Sequence, residues 1–500
     1  MAGFVEYANG LVWGAPALLL ILGTGLFLSL RTGFAQIRLF PQALQEFWSK
    51  LRSAEAEGGV SSFQALCTAL AATIGTGNIV GVAGAIALGG PGAVFWMWIS
   101  AILGMMTKFA EATLAVHYRQ RRNGEWIGGP MYMITRGLGE KWRFLASIYC
   151  FFAVFAAFGV GNATQINAVV TGIGQVIVAF GGEVTLRRNL GMGLLLAVLT
   201  GAVLLGGAKR IGKAAQMIVP FASCAYLLIC AAVLFLRADA IPSSVAAIFQ
   251  GAFTPQAVTG GMVGSAFRAL RVGVARGVFT NEAGMGTASI AHASAQVNQA
   301  ARQGLMGIME VFLDTIVICT MTALVILCSG IPIPYGQSVG AELTAQAFSA
   351  VFGDWASILL TLAICCFAFA TVLGWGLYGV RCAQYLFGAS CWKPFSLLQT
   401  AMVVLSAVLE TGMVWSIAEL VNGLMAIPNL IALVALSPKL RELTDRYIMH
   451  CGGVSANGGT YENFNQCQSL PTFPHAQVPS LRTGSEKTGK KDLPSEHRPA

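Results

Sequence analysis

Apolar residues run through this chain in long stretches separated by short polar segments. The first stretch covers about 10–30. Ten more follow, at about 63–88, 92–117, 144–178, 190–206, 214–236, 262–290, 304–329, 354–387, 395–412 and 414–436. Each is long enough to cross a bilayer as a helix, which takes roughly 17–25 residues. The pattern predicts an all-α polytopic membrane protein with 11 transmembrane helices: a lead span and spans 1 to 10. The first run, Leu11–Leu30, lacks a basic n-region and a small-residue cleavage site, so it reads as a true span and not as a signal peptide.

The pattern breaks in the middle of span 1, at Ala71-Ala72-Thr73-Ile74-Gly75-Thr76-Gly77-Asn78-Ile79-Val80-Gly81. Glycine destabilises a helix and frees peptide groups. Each unpaired peptide group in hydrocarbon costs several kcal/mol, so a break is tolerated only where it meets an ion, a polar solute or protein. Span 6 carries a second interruption, Phe279-Thr280-Asn281-Glu282-Ala283-Gly284-Met285-Gly286. Spans 1 and 6 open two halves of five spans each. Five is odd, so the second half enters the membrane upside down. That predicts a 5+5 inverted repeat with broken helices 1 and 6 facing each other, as in many secondary transporters. The expected segments are 1–60 (lead helix and cytoplasmic linker), 61–240 (first repeat), 241–436 (second repeat) and 437–500, a polar, disordered cytoplasmic tail.

Composition supports membrane residence. Charged residues make up 11% of the chain and hydrophobic ones 55%, against about 25% charged in soluble domains. The net charge of +9 is that of cytoplasmic loops and does not point to nucleic acid. With the N-terminus outside and the C-terminus in the cytoplasm, 24 of the 31 Lys and Arg residues fall on the inner side. The twelve cysteines show no CxxC pairing and read as small packing residues.

The chemistry gathers at the breaks. The amides around Thr76, Gly77 and Asn78 begin an outer half-helix, an end that favours a carboxylate. The carbonyls near Ala71, Ala72 and Ile74 end the inner half-helix and suit a hard cation such as Na⁺. The alternative is a glycine-rich packing face, which has no need of Asn78. Glu282 is an acid at membrane depth, a functional candidate by default; the alternatives are an ion pair with Arg276 or Lys108, or a protonated packing acid. In span 3, Asn162, Gln165 and Asn167 are amides in an apolar helix, and Gln165 either lines a pocket or bonds between helices. In span 8, Thr371 and Trp375 share a face at i, i+4: a hydroxyl for Na⁺ and a wall for a small solute, or core packing. Glu310 and Asp314 of span 7 read as structural partners of Lys108 and Glu111 in span 2, with a proton relay as the other reading. No spacing of His, Cys or carboxylates makes a metal centre or a triad, so an enzyme is not expected.

On these motifs, together with Gly89-Gly90-Pro91-Gly92-Ala93-Val94-Phe95-Trp96-Met97-Trp98 and Gly128-Gly129-Pro130-Met131-Tyr132, the chain resembles the alanine or glycine:cation symporter family over nearly all of 1–445. These are sodium-coupled amino-acid transporters of bacteria and archaea. The resemblance implies the fold of the bacterial leucine transporter with one extra N-terminal helix. Gly75-Thr76-Gly77-Asn78 matches that fold's Gly-x-Gly-Asn break. Phe279-Thr280 and Gly284-Met285-Gly286 match its span 6 pattern, with Met285 replacing an aromatic. By resemblance, Na⁺ takes the carbonyls of Ala71 and Ile74 and the Thr371 hydroxyl. Glu282 stands where the pattern has a small polar residue, which argues against a second sodium site.

The resulting expectation is a symporter in the bacterial inner membrane that imports alanine or glycine with Na⁺ by alternating access. Thr76, Gly77, Asn78, Gln165, Phe279, Asn281, Met285, Thr371 and Trp375 would bind substrate, with Phe279, Met285 and Trp375 leaving room for a short side chain. The alternatives are proton coupling through Glu282, glutamine or serine as substrate, and, from another class, a non-transporting amino-acid sensor.

Overall fold

A computed structural model describes residues 2–52, 59–122, 124–254, 266–353, 355–409 and 411–451. Among them, eight helices are long and apolar enough to cross a membrane. Ser62–Thr73 and Thr76–Gly89, bent by 59° at a short break, make a ninth span. The expected count was eleven. Of the remaining two, span 6 is an arginine-bearing helix, Ala266–Asn281, followed after a gap by Thr287–Ala293. Span 9, Trp392–Ser406, has only 15 residues. Both are helical, and among the described residues neither has the length of a spanning helix.

The other spans sit where the apolar runs predicted them: Ala15–Arg31 (lead), Gly92–Tyr118 (2), Leu186–Leu204 (4), Gly207–Leu236 (5), Trp355–Phe387 (8) and Thr411–Ala435 (10). Spans 3 and 7 each contain a stretch of wider π-type winding, Gly159–Ala163 and Phe312–Cys319. Such turns shift carbonyls off the regular ladder and are frequent at functional sites. A two-stranded hairpin, Gln120–Arg122 with Glu125–Ile127, follows span 2 and is a small exception to an all-α fold.

Span 1 lies against span 6, 2 against 7, 3 against 8 and 4 against 9. The ends sort into two groups. At one end, Asn9 and Trp13 donate to the carbonyls of Ser416 and Glu419, and Gly336 donates to that of Ala87. At the other, Arg302 forks onto Glu46 at 2.7 and 2.8 Å, Arg381 pairs with Glu125, and Arg119 donates to the carbonyls of Ala293, Ala295 and Val297.

The expectation of disorder from residue 437 does not hold for Ser437–Cys451, which is a helix. Its sequence is polar, but Leu440, Thr444 and Tyr447 recur at helical spacing and are buried. Lys439–Glu442 and Glu442–Arg446 pairs lie on its outer side. Residues 452–500 lie outside the described residues.

Candidate functional site

Span 1 leaves the helix at Ile74 and Gly75, makes one tight turn over Thr76–Asn78 and restarts at Val80. Asn78 holds this break. Its side-chain oxygen accepts from the Gly75 N–H at 2.9 Å, while its NH₂ donates to the Asp314 carboxylate at 2.7 Å. The Gly75 N–H is thereby withdrawn from the Ala71 carbonyl. The Asn78 N–H closes on the Gly75 carbonyl, not on that of Ile74. The two carbonyls assigned to Na⁺ from the sequence are therefore free of their usual i+4 donors.

Three side chains converge on the same turn. A Cβ placed on Gly75 would stand 2.8 Å from the Thr371 hydroxyl and 3.3 Å from the Gln165 side-chain oxygen. Gln165 is turned by the π-stretch of span 3, where its NH₂ donates to the Val160 carbonyl. The Gln165 oxygen and the Thr76 hydroxyl are both buried and have no hydrogen-bond partner. Leaving such groups unmet costs roughly 1–3 kcal/mol each. Oxygen-only donors of this kind suit a small hard cation or the ammonium of an amino acid. Gly374 of span 8 packs directly on Ala72, so the helix that carries Thr371 touches span 1.

Span 6 ends its first helix at Asn281. Glu282 then takes a left-handed φ of 52°, followed by Gly284 (94°) and Gly286 (78°). Only glycine adopts the last two without strain. Asn281 caps the Ala283 N–H and donates to Thr315. From span 2, one Glu111 oxygen accepts from the N–H groups of Gly284 and Gly286 and from Asn429. The break thus has its freed amides satisfied by a carboxylate. Glu282 accepts from the Trp375 indole at 3.1 Å and from the Thr287 hydroxyl at 2.6 Å. It pairs with neither Arg276 nor Lys108: Arg276 meets Glu419, and Lys108 meets Glu310. Trp375 is fully buried, and Gly161 leaves the room its ring occupies. Met285 is buried within the same break.

A cavity of about 490 Å³ leads to the break of span 1. Its wall includes Gly77 and Gly81, Asn167 and Thr171 of span 3, Phe279, and the Arg276–Glu419 pair at 3.3 Å. Gly77 faces Thr280 across the space between spans 1 and 6. Gln165, Thr371, Trp375 and Met285 are not on this wall.

The structure therefore brings Thr76, Gly77, Gln165 and Thr371 together and sets Phe279 at the cavity. Asn78 and Asn281 are engaged in holding the two breaks. Sequence reasoning missed the part played by span 7. Asp314 accepts from Asn78 on one oxygen and from Thr315 on the other, and Thr315 accepts from Asn281. One two-residue segment thus ties both breaks. The signal was present as an acid at membrane depth, but it was assigned to span 2. That assignment fits Glu310, which bonds Lys108 at 2.8 Å and His292 at 3.0 Å, and not Asp314.

Two helices interrupted face to face inside a many-span bundle, with orphaned oxygens at one break, define a secondary transporter of small solutes. Residues 1–452 match the model of the sodium:alanine symporter family, and the chain belongs to that family. It is 44% identical over 438 residues to the sodium/alanine symporter AgcS of Methanococcus maripaludis, covering 87% of this chain and 94% of that one. It is 45% identical over 443 residues to an uncharacterized transporter of Haemophilus influenzae (88% and 94% covered). It is 38% identical over 440 residues to a probable sodium/glutamine symporter, GlnT, of Bacillus subtilis (87% and 88%). Among solved structures, that of MhsT in complex with L-phenylalanine matches with a TM-score of 0.52 at 12% identity, covering 79% of this chain and 99% of that one. The last likeness is one of fold. The chain is a multi-pass, sodium-coupled amino-acid symporter, not an enzyme.

Proposed function

We propose that this protein imports alanine or glycine together with Na⁺, and that both bind at the break of span 1. The observation that carries the reading is the convergence of the unpartnered Gln165 oxygen, the unpartnered Thr76 hydroxyl and Thr371 on Gly75. Na⁺ takes the Ala71 and Ile74 carbonyls and the Thr371 hydroxyl. The substrate carboxylate docks at the Thr76–Gly77 turn, where a half-helix begins. Its ammonium meets Gln165 and the carbonyls of the span 6 break. Phe279, Met285 and Trp375 limit the side chain.

The architecture is read as a lead helix and a 5+5 inverted repeat, eleven spans in all; the pairing of spans 1 to 4 with 6 to 9 supports it. The N-terminus is placed outside. The segments expected inside do share one end of the bundle, joined by Arg302–Glu46 and Arg381–Glu125. Sodium joins span 1 to span 8 and favours the outward-facing state. An ion that bound both states equally would shift nothing. The Arg276–Glu419 pair, joined at 3.3 Å, works as a latch at the rim over the substrate. Glu282 works as the acceptor that fixes Trp375, not as the coupling site for protons.

The test is direct binding to the purified protein. Alanine should give a calorimetric signal in sodium and none in potassium. Binding of equal strength in both salts would remove the ion from the site. Competition by glycine, serine and glutamine ranks the substrates, and glutamine outcompeting alanine would overturn the small-pocket reading.

A further inference from the structure

The lead span ends at Arg31, and the chain turns through two left-handed residues, Gly33 and Phe34. The turn is pinned: the Phe34 N–H donates to the Ser29 carbonyl at 2.7 Å, and the Gln36 side chain donates to the Ser29 hydroxyl at 2.8 Å. A short helical turn and then the helix Phe40–Arg52 follow. This helix is amphipathic in an unusual sense. Its inward face carries Glu46, buried and clasped by Arg302 at the start of span 7. Phe40 packs edge-on against Phe312 of span 7, and Phe47 packs on Phe63 of span 1.

The apolar stripe points the other way. Ile37, Leu44, Trp48 and Leu51 are 59%, 38%, 49% and 42% exposed, and Pro41 between them is exposed too. The spacing 37, 41, 44, 48, 51 puts them on one side of a helix. Arg38 and Arg52 are exposed beside the stripe, while Lys50 lies on the inward side, where it pairs with the helix's one carboxylate, Glu46, at 3.7 Å. The unpartnered face is thus apolar with a basic margin. That is the chemistry of a helix lying in a bilayer interface, with aromatic and aliphatic residues at the acyl boundary and cations at the headgroups.

We propose that Phe40–Arg52 lies in the membrane surface and collects anionic glycerophospholipids, with Trp48 at the acyl boundary and Arg38 and Arg52 on the headgroup phosphates. Because Glu46, Phe40 and Phe47 bind it to spans 1 and 7, it is where the charge of the leaflet reaches the two spans that hold the break of span 1 in place. That consequence rests on the transport reading above; the lipid site itself does not.

The experiment uses the full chain in vesicles of phosphatidylcholine with bromine-labelled lipid as quencher. Tryptophan emission of the unmodified protein is compared with that of Trp48→Phe, so the difference reports Trp48 alone. Bromine-labelled phosphatidylglycerol should quench this difference signal more strongly than labelled phosphatidylcholine at equal fraction. Arg38→Gln/Arg52→Gln should bring the two to equality. No quenching of the Trp48 signal by either lipid would overturn the proposal. Equal quenching by both in the unmodified protein would overturn its anionic preference. Efficient cross-linking of Trp48→Cys between copies would mean that a second chain, not lipid, covers the stripe. Because the unmodified protein carries the main comparison, poor folding of the double variant leaves it decisive, and neither readout depends on uptake.

Discussion

The side-chain amide of Asn78 donates to the carboxylate of Asp314 at 2.7 Å, joining the break of span 1 to the π-stretch of span 7. Asp314 also accepts from Thr315, which in turn accepts from Asn281 beside the break of span 6. A residue with no free oxygen to offer a ligand thus sets the distance between the two interrupted helices. Hydrogen bonds to charged groups contribute about 1.5–3 kcal/mol. Asp314→Ala should lower the thermal midpoint of the purified protein and reduce uptake at least tenfold, with Asp314→Asn recovering part of both. Uptake unaffected by Asp314→Ala would mean that the breaks hold their places without this link.

Thr371→Ala removes one oxygen donor from beside Gly75 while leaving the span 8 backbone intact. Losing about 1.4 kcal/mol of ion binding is a tenfold change in affinity. The sodium concentration for half-maximal uptake should therefore rise by about that factor, with surface expression unchanged. An unaltered sodium dependence would take Thr371 out of the ion site.

Trp375 acts through both its ring and its N–H, and two substitutions separate them. Trp375→Phe keeps most of the wall but frees the Glu282 carboxylate bonded at 3.1 Å. Trp375→Ala removes both. Only Trp375→Ala should let larger amino acids compete with alanine, whereas both should slow transport. If neither changes competition, Trp375 packs the core and does not shape the pocket.

Arg276 and Glu419 meet at 3.3 Å on the wall of the cavity beside the span 1 break, each about a quarter exposed. Exposed ion pairs contribute roughly 0–1 kcal/mol, so stability should hardly change when either is neutralised. The effect should be on closure. Arg276→Gln and Glu419→Gln should each raise the KM for substrate, and the double variant should be no worse than the worse single. Strictly additive losses would show that the two residues act separately.

The sequence spoke most clearly where physics leaves the fewest choices. Apolar runs of spanning length placed the helices, because an unpaired backbone cannot be left in lipid. The glycines at 75, 77, 284 and 286 placed both breaks, since nothing else in a long apolar run explains them. Thr371, Gln165 and Thr76 were found as polar groups on otherwise apolar faces, and they meet at one turn. What could not be read was the direction of each side chain. Asn78 and Asn281 looked like substrate ligands but face the backbone and span 7. Asp314 and Glu310, one turn apart, look equivalent in sequence; the π-stretch beginning at Phe312 rotates them onto different partners. The helix over Ser437–Cys451 was hidden by its low hydrophobicity, although Leu440 and Tyr447 mark its buried side.

The most direct test is radiolabelled alanine uptake into proteoliposomes in which the sodium and proton gradients are imposed separately. An inward sodium gradient alone should drive accumulation above equilibrium, and Thr371→Ala should shift its sodium dependence. An inward proton gradient without sodium should drive none. Accumulation driven by protons in the absence of sodium, abolished in Glu282→Gln, would contradict the account and move the coupling site from span 1 to span 6.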